Sequence, residues 1–306
     1  MAHWLPPDLA YYLTAGVCLG AVYALIALGY TMVYGIIKLI NFAHGEFLMV
    51  GAYAGLGAYL WLPAGLPPAV TIPAILLVSG LAGAAIAGLA EHVAYRPIRG
   101  SGRLSALLTA MGVSLLLQNV AAFIRNGNAI SYGGAVASLC QQSFPVGSGG
   151  IEAIRFAYVP VSLLLTGALW YLVARTRFGK AMRATSEDPG AAVLMGIDTD
   201  RVIRGTFLIG GFLAGIAGAL TGLTRQVEPM MGFMPGLNAF VAAVVGGIGS
   251  IPGAVLGGYL IGILQYMVVY FGVPNEYKDV TALAVLIVVL IVRPQGILGR
   301  PQREKV

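Results

Sequence analysis

The chain has 306 residues, of which 58% are hydrophobic and 10% charged, with a formal net charge of +6 and a mean hydropathy of +0.85. Soluble domains carry about 25% charged residues. This chain has too few to cover a water-facing surface, which excludes a water-soluble fold and implies an integral membrane protein with room for a single membrane domain. The 43 glycines suit a tight polytopic bundle, because small residues let helices in lipid approach closely. The basic balance does not point to nucleic acid, because Lys and Arg fall in the connections beside apolar runs, where topology accounts for them.

A helix needs about 20 apolar residues to cross a bilayer. In chain order the apolar runs are 9–34, 47–62, 69–90, 104–124, 158–174, 202–223, 237–248, 255–271 and 280–292. The first run has no basic segment before it and is too long for a signal sequence, so it reads as a retained helix. The run 237–248 is too short to cross alone, so it is either a half-helix or a helix that borrows flanking residues. The expected fold class is therefore an all-α polytopic membrane protein. It has about eight or nine transmembrane helices, some broken or halved at Gly and Pro.

Between the first two runs the sequence reads GIIKLINFAHGEFLMVGAY, with Lys38, Asn41, His44 and Glu46 set between apolar stretches. Ionisable groups beside hydrocarbon are costly and usually face protein, water or a solute path. Three readings of this break differ in chemistry. His44 and Glu46 form H-x-E, but a metal site needs three or four ligands, and the other histidines, His3 and His92, cannot be placed nearby. Asn41, His44 and Glu46 could cap helix ends at the membrane border. An unwound segment lining a solute path would instead use its backbone groups and Asn41 as hydrogen-bonding partners. A second break, GGIGSIPG over 246–253, precedes Gly257-Gly258-Tyr259 much as the first precedes Gly51-Ala52-Tyr53. Paired breaks of this kind are the usual pointer to an inverted repeat in a transporter.

Basic residues cluster after the third run (Arg96, Arg99, Arg103), between the fifth and sixth (Arg175, Arg177, Lys180, Arg183, Arg201, Arg204) and in the tail (Arg293, Arg300, Arg303, Lys305). Nine crossings put these and Lys38 on one side, read as cytoplasmic, with the N-terminus outside. Only Arg125, Arg155, Arg225 and Lys278 fall in the opposite connections. The longest of those, 125–157, reads either as a small ordered outer loop fit to receive a partner or as a floppy connection. Cys18 and Cys140 form no metal or redox pattern, and a disulfide between them is not expected.

The cytoplasmic segment 185–200 contains SEDPGAAVLMGID. Asp188 is a natural N-cap with Pro189 at the first helical position, and Gly196 is placed to stop the helix. The prediction is a short helix over 189–195 whose apolar Ala191, Leu194 and Met195 need a protein to cover them, or else lie on lipid. Within spans, Gln118, Asn119 and Gln265 read first as interhelical glue. Met230, Met231 and Met234, before Pro235-Gly236, are adaptable apolar residues at an outer border. No phosphate-binding loop, voltage-sensor repeat, ion filter, nucleophile elbow or H-E-x-x-H is present in the sequence.

The stretch GAVYALIALGYTMVYGIIKLINFAHGEFLMVGAY resembles the signature of permeases in branched-chain amino-acid ABC importers. SEDPGAAVLMGID resembles their coupling motif, and VVGGIGSIPGAVLGGYLIG and VLIVRPQGILGR resemble the family's C-terminal half. The resemblance covers nearly the whole chain and is to the shorter of the two permease types. It implies one permease domain over 1–306, a second similar permease, two ATPase subunits inside and a soluble solute-binding protein outside, in a bacterial cytoplasmic membrane. It implies no enzyme activity and no cofactor in this chain, with ATP–Mg held by the ATPases. It assigns ATPase coupling to Glu187, Asp188, Pro189, Ala191, Ala192 and Gly196. Together with the polar break, it makes Asn41, Phe42, His44, Glu46, Gly249 and Ser250 the expected substrate pathway. The implied substrates are leucine, isoleucine and valine, with urea or short amides as alternatives. An ion- or proton-coupled transporter or channel using His44 and Glu46 is the competing class.

Overall fold

The computed structural model describes residues 9–63, 66–147 and 149–299. His3 and the basic residues Arg300, Arg303 and Lys305 lie outside the described residues. The chain forms α1 (Leu9–Ile37), α2 (His44–Trp61) and α3 (Pro68–Ala90), the last running on through a π turn (Glu91–Tyr95) and a 3-10 turn (Arg96–Ile98). After α4 (Arg103–Arg125) come α5 (Gly134–Gln141), a hairpin of β1 (Ser143–Val146) and β2 (Gly149–Glu152), α6 (Ala153–Phe156) and α7 (Tyr158–Arg175). Then follow α8 (Arg177–Glu187), α9 (Pro189–Leu194), α10 (Thr199–Thr224), α11 (Phe233–Gly246), α12 (Ile251–Tyr270) and α13 (Lys278–Val292).

Among the described residues six helical stretches are long and apolar enough to cross a membrane: Leu9–Ile37, Pro68–Ile98, Leu104–Arg125, Ala153–Arg175, Thr199–Thr224 and Ile251–Tyr270. The other three expected runs are α2, α11 and α13, of 18, 14 and 15 residues. The short run starts four residues earlier than its hydropathy suggested, yet α11 still rises only about 21 Å, short of the roughly 30 Å of hydrocarbon. It is a half-helix.

The core is α1, α2, α3, α10, α11 and α12, and small residues set their spacing. Where α1 meets α12, a Cβ on Gly20 would lie 2.7 Å from the Tyr259 Cα. Close backbone approach replaces the hydrophobic drive that lipid cannot supply. From Ala15 onward α1 is buried on nearly every side, which is why its sequence has no polar face. Peripheral α4 buries one stripe, Ala106, Ala110, Ser114 and Gln118, at i, i+4 spacing, and exposes Leu104, Leu108, Leu115 and Phe123.

The two ends differ in kind. At one end the basic connections collect. Arg96 and Arg99 pair with Asp200 at 2.7 and 2.5 Å, and Arg99 also pairs with the buried Glu91 of the π turn. At the other end 125–147 and 149–157 build α5, the hairpin and α6. The hairpin pairs Ser143 with Glu152 and Val146 with Gly149. Ile130 and Val227 exchange backbone hydrogen bonds of 3.0 and 2.7 Å, and the Tyr59 hydroxyl donates to the Gly133 carbonyl at 2.5 Å. Cys18 and Cys140 are both free and buried.

Candidate functional site: two broken crossings that meet

The first crossing to break is the second. After Ile37 the chain turns at Lys38, a non-glycine residue at φ +55°, and runs back into the bundle without regular structure. α2 then begins beside Gly29 and Tyr30 of α1: the His44 ring lies 4.7 Å from the Tyr30 ring and faces Gly29. That is about 12 Å of helix rise back from the end of α1. The second break follows α10. The chain pairs at Val227 near the opposite end, dips inward through four turn residues, and starts α11 at Phe233. The two starts touch. A Cβ on Gly45 would lie 2.5 Å from the Gly232 carbonyl oxygen and 3.2 Å from the Gly236 Cα. From this contact α2 runs toward the end that carries the hairpin, where Tyr59 meets Gly133. α11 runs toward the basic end, where Val245 and Gly246 accept hydrogen bonds from Ile297 and Leu298. Two helix N-termini, each a positive dipole end, thus oppose each other inside the bundle.

This corrects the expected echo in position. The stretch that mirrors 38–46 is 225–232, not 246–253. The latter is the turn from α11 into α12, where the Ser250 hydroxyl caps α12 by accepting from the Gly253 N–H at 3.2 Å. Gly249, at φ +93°, faces Gly35 near the basic end of α1. The structure therefore brings Asn41, Phe42, His44 and Glu46 together near the meeting point and sets Gly249 and Ser250 apart from it.

Lys38 is exposed, while Asn41, His44 and Glu46 are buried and packed against different elements. Asn41 Oδ1 accepts from the Tyr95 hydroxyl at 2.5 Å and from the Ala43 N–H at 3.1 Å. The His44 ring packs between those of Tyr30 and Phe47, at centroid distances of 4.7 and 5.6 Å. Glu46 Oε1 accepts from Ser114 at 3.1 Å and Gln118 at 2.7 Å, both on α4. Phe42 stacks near Phe240, with ring centroids 5.8 Å apart, and Tyr30 lies 5.9 Å from the same ring. One polar atom of each, Asn41 Nδ2, His44 Nε2 and Glu46 Oε2, is buried without a hydrogen-bond partner. Native proteins leave few such atoms, and those that exist ask for an explanation. The capping reading fails for His44 and Glu46. Ala43 occupies the N-cap of α2 with no side-chain cap, and only Asn41 bonds a backbone N–H there.

Sequence reasoning missed Tyr95, Ser114, Gly232 and Gly236. Gln118 and Gln265 do act between helices: Gln118 ties α4 to α2, and Gln265 accepts from the Tyr23 hydroxyl at 3.0 Å. Asn119 does not; it donates to Leu115 of its own helix. Among the described residues no three His, Cys, Asp or Glu side chains are grouped to hold a metal ion.

At the basic end, Asp188 caps α9 by accepting from the Ala191 N–H at 3.0 Å. Pro189 opens the helix, Gly196 ends the turn at φ +79°, and the helix proper stops at Leu194. Ala192 packs inward while Leu194 and Met195 are 89% and 82% exposed. Polar side chains link this segment to the bundle at both its ends. The Ser186 hydroxyl donates to the Gly35 carbonyl at 2.5 Å. Asp200, just beyond, connects through Arg99 to Glu91, one helical turn from the Tyr95 that holds Asn41.

Residues 12–290 match the profile of the branched-chain amino acid transport system / permease component family. The chain belongs to this family. It is 44% identical over 302 residues to the high-affinity branched-chain amino acid transport system permease protein LivH of Escherichia coli K12, covering 95% of this chain and 96% of that one. It is 41% identical to the corresponding BraD of Pseudomonas aeruginosa, over 98% of this chain and all of that one. A chain of PsaBC from Streptococcus pneumoniae, solved with a Fab, covers 96% of this chain at 16% identity and a TM-score of 0.44. Family membership makes this a multi-pass transport permease, and the signature that carries it includes the first broken crossing.

Proposed function

We propose that this chain is the membrane subunit of an ATP-driven importer that moves leucine, isoleucine and valine into the cytoplasm by alternating access. The observation that carries the reading is the contact between the starts of α2 and α11. Two half-crossings of opposite direction, meeting beside buried unpartnered polar atoms, are the construction that transporters use to expose polar groups at the bilayer midplane. The identity to branched-chain amino-acid permeases over nearly the whole chain supports the substrate assignment.

In this reading residues 1–306 form one permease domain in a bacterial inner membrane, beside a second, similar permease. Lipid covers the apolar faces of α4, α7 and α13. Asn41, Phe42, His44 and Glu46 line the path at its narrowest level, and Gly249 and Ser250 its inner exit. The basic end faces the cytoplasm, where Glu187, Asp188, Pro189, Ala191, Ala192 and Gly196 meet an ATPase that covers Leu194 and Met195. A pair of ATPases holds ATP–Mg, and this chain performs no bond chemistry. A solute-binding protein docks on the ordered end built from 125–157. Closure of the ATPases displaces α8 and α9. The displacement reaches the end of α1 through Ser186 and Gly35, and Asn41 through Asp200, Arg99, Glu91 and Tyr95.

The test is uptake into proteoliposomes holding this chain, its partner permease and both ATPases, with labelled leucine, urea or a short amide. Leucine uptake that requires ATP and the binding protein is expected. Uptake of urea or an amide but not leucine overturns the substrate. Uptake driven by a proton gradient without ATP overturns the mechanism and makes His44 and Glu46 the titrating groups.

A further inference from the structure

A cavity of about 410 Å³ opens on the hairpin side of the molecule, at the small end of the roughly 300–1,000 Å³ usual for ligand pockets. On α1 its wall runs from Tyr11 to Tyr23, which is about 18 Å of helix. Its floor includes Pro235, in the first turn of α11 and next to the Gly236 that touches Gly45. The cavity therefore leads from the outer surface to the contact between the broken crossings.

Its lining is not that of a generic crevice. Three cations face it: Arg155, Arg225 and Lys278. Arg155 is neutralised by Glu152, with Nε 2.5 Å from the carboxylate. Arg225 and Lys278 form no ion pair among the described residues. Near them stands the carboxylate of Asp279, and its Oδ1 is already committed. It accepts from Asn238 at 2.8 Å and Gln265 at 3.3 Å, and both amides also bond the Tyr23 hydroxyl that forms part of the wall. This buried polar cluster fixes the inner wall in place. The remaining surface divides by chemistry. Tyr11, Tyr12 and Tyr266 offer ring faces, and the Lys278 ammonium already lies 5.9 Å from the Tyr266 centroid. Leu19, Val22 and Val269 offer an aliphatic patch. Two unpaired cations, aromatic faces that attract an ammonium and an aliphatic wall match the three parts of a branched α-amino-acid zwitterion.

We propose that this cavity is an amino-acid site in the permease itself, in which Arg225 and Lys278 take the α-carboxylate of the solute before it reaches the meeting of α2 and α11. The proposal rests on the reading of the chain as an amino-acid permease. It adds that the membrane subunit inspects its cargo through the carboxylate instead of passing whatever an outer protein delivers. An amide or alcohol of the same shape lacks the charge that the two cations need, so the site rejects it.

The experiment measures equilibrium binding of labelled L-leucine to the complete transporter in nanodiscs, without any solute-binding protein. Leucine is expected to bind, and leucinamide, which lacks the carboxylate, to compete at least tenfold more weakly. Arg225→Gln with Lys278→Gln should weaken leucine binding at least tenfold, and Arg225→Lys, which keeps the charge, should retain it. The proposal is overturned if the intact transporter binds no leucine, if leucinamide competes as well as leucine, or if the double variant binds as tightly as the wild type. Should the double variant fail to assemble, the leucinamide competition and Arg225→Lys decide alone. Uptake measured in parallel separates the two ideas. Import of leucine without carboxylate-dependent binding removes this site and leaves the transport reading intact. Carboxylate-dependent binding without ATP-dependent import does the reverse.

Discussion

The two broken crossings share a construction but not a composition. The start of α2 carries Asn41, His44 and Glu46: Asn41 is bonded by Tyr95 beyond α3, Glu46 by Ser114 and Gln118 on α4, and the His44 ring packs against Tyr30 of α1. The stretch that leads into α11 carries Met230, Met231, Gly232, Phe233 and Met234, none of which can form a strong side-chain hydrogen bond. Met230, Phe233 and Met234 are 66%, 52% and 49% exposed. One half-crossing is fastened to its neighbours on three sides. The other rests on a glycine contact and is not anchored by a polar side chain until Asn238, inside α11. The difference teaches which half can move. Hydrogen bonds buried in a dry interior hold a segment to one geometry, while methionines adapt to more than one packing. The start of α2 is therefore the fixed entry, and the start of α11, ahead of Asn238, is the adaptable one.

The largest effect should come from breaking the contact itself. A Cβ at Gly45 or Gly232 meets backbone of the opposite crossing, not a yielding side chain. Gly45→Val or Gly232→Val must therefore separate the two helix starts. Overpacking of this kind costs about 1–3 kcal/mol or more. We expect both variants to lose at least tenfold in uptake rate and to melt lower in a detergent thermal-shift assay. A valine tolerated at either position would mean that the crossings do not meet as described.

The asymmetry is sharpened by treating the two halves alike. Glu46→Leu leaves Ser114 and Gln118 buried without their acceptor, at a cost of about 1–3 kcal/mol. Glu46→Gln keeps an acceptor oxygen and should lose less. Met234→Ala on the other side removes a half-exposed side chain and should stay within about 0.5 kcal/mol. If Met234→Ala destabilises the protein as much as Glu46→Leu, the contrast between a fixed and an adaptable helix start is wrong.

At the basic end the comparison is between cap and surface. Asp188→Ala removes the bond to Ala191 and should cost about 1 kcal/mol of local stability. Leu194→Ser alters a side chain that touches little of the permease, so its melting temperature should not move. Pull-down of the ATPases by Leu194→Ser should nevertheless fall several-fold. Full ATPase recovery with this variant would remove α9 as the covered surface.

The sequence made the polar half legible and left the apolar half hidden, for a physical reason. Charged and amide side chains between apolar runs violate a strong expectation, so Asn41, His44 and Glu46 announce a break. The segment 185–200 was legible on the same grounds, since Asp188, Pro189 and Gly196 have specific positions at helix ends. The second break opens with exposed polar residues, Arg225, Gln226 and Glu228, which read as an ordinary connection at the membrane border, and the part that enters the bundle is Met, Gly, Phe and Pro, all normal in a span. In sequence the glycine-rich 246–253 stands out instead, and it is an ordinary capped turn. Tyr95 and Ser114 were invisible because their roles depend on which helices lie side by side, and periodicity does not encode that. In sequence Arg225 and Lys278 are minority charges in the less basic connections. Only the fold brings them to one cavity from positions 53 residues apart along the chain.

The smallest effect concerns the ordered outer segment, and it separates a built surface from a floppy connection. Cys140 sits in α5, and burial raises its thiol from 9.0 to about 11. The thiolate is the reactive form, so at neutral pH Cys140 is protonated as well as covered. In a Cys18→Ala background, labelling by a membrane-impermeant maleimide should be slow. The sign of the pH dependence follows from the raised value. The order that depends on a neutral thiol is intact below the ordinary thiol range and weakens as pH climbs toward 11, so labelling accelerates over that interval. Tyr59→Phe removes the hydroxyl that holds the Gly133 carbonyl just before α5, and should speed labelling a few-fold at neutral pH without changing the melting temperature of the bundle. Rapid labelling of the unmodified loop at neutral pH would mean that 125–157 is not a pre-formed surface, and would leave the cavity behind it without a fixed outer wall.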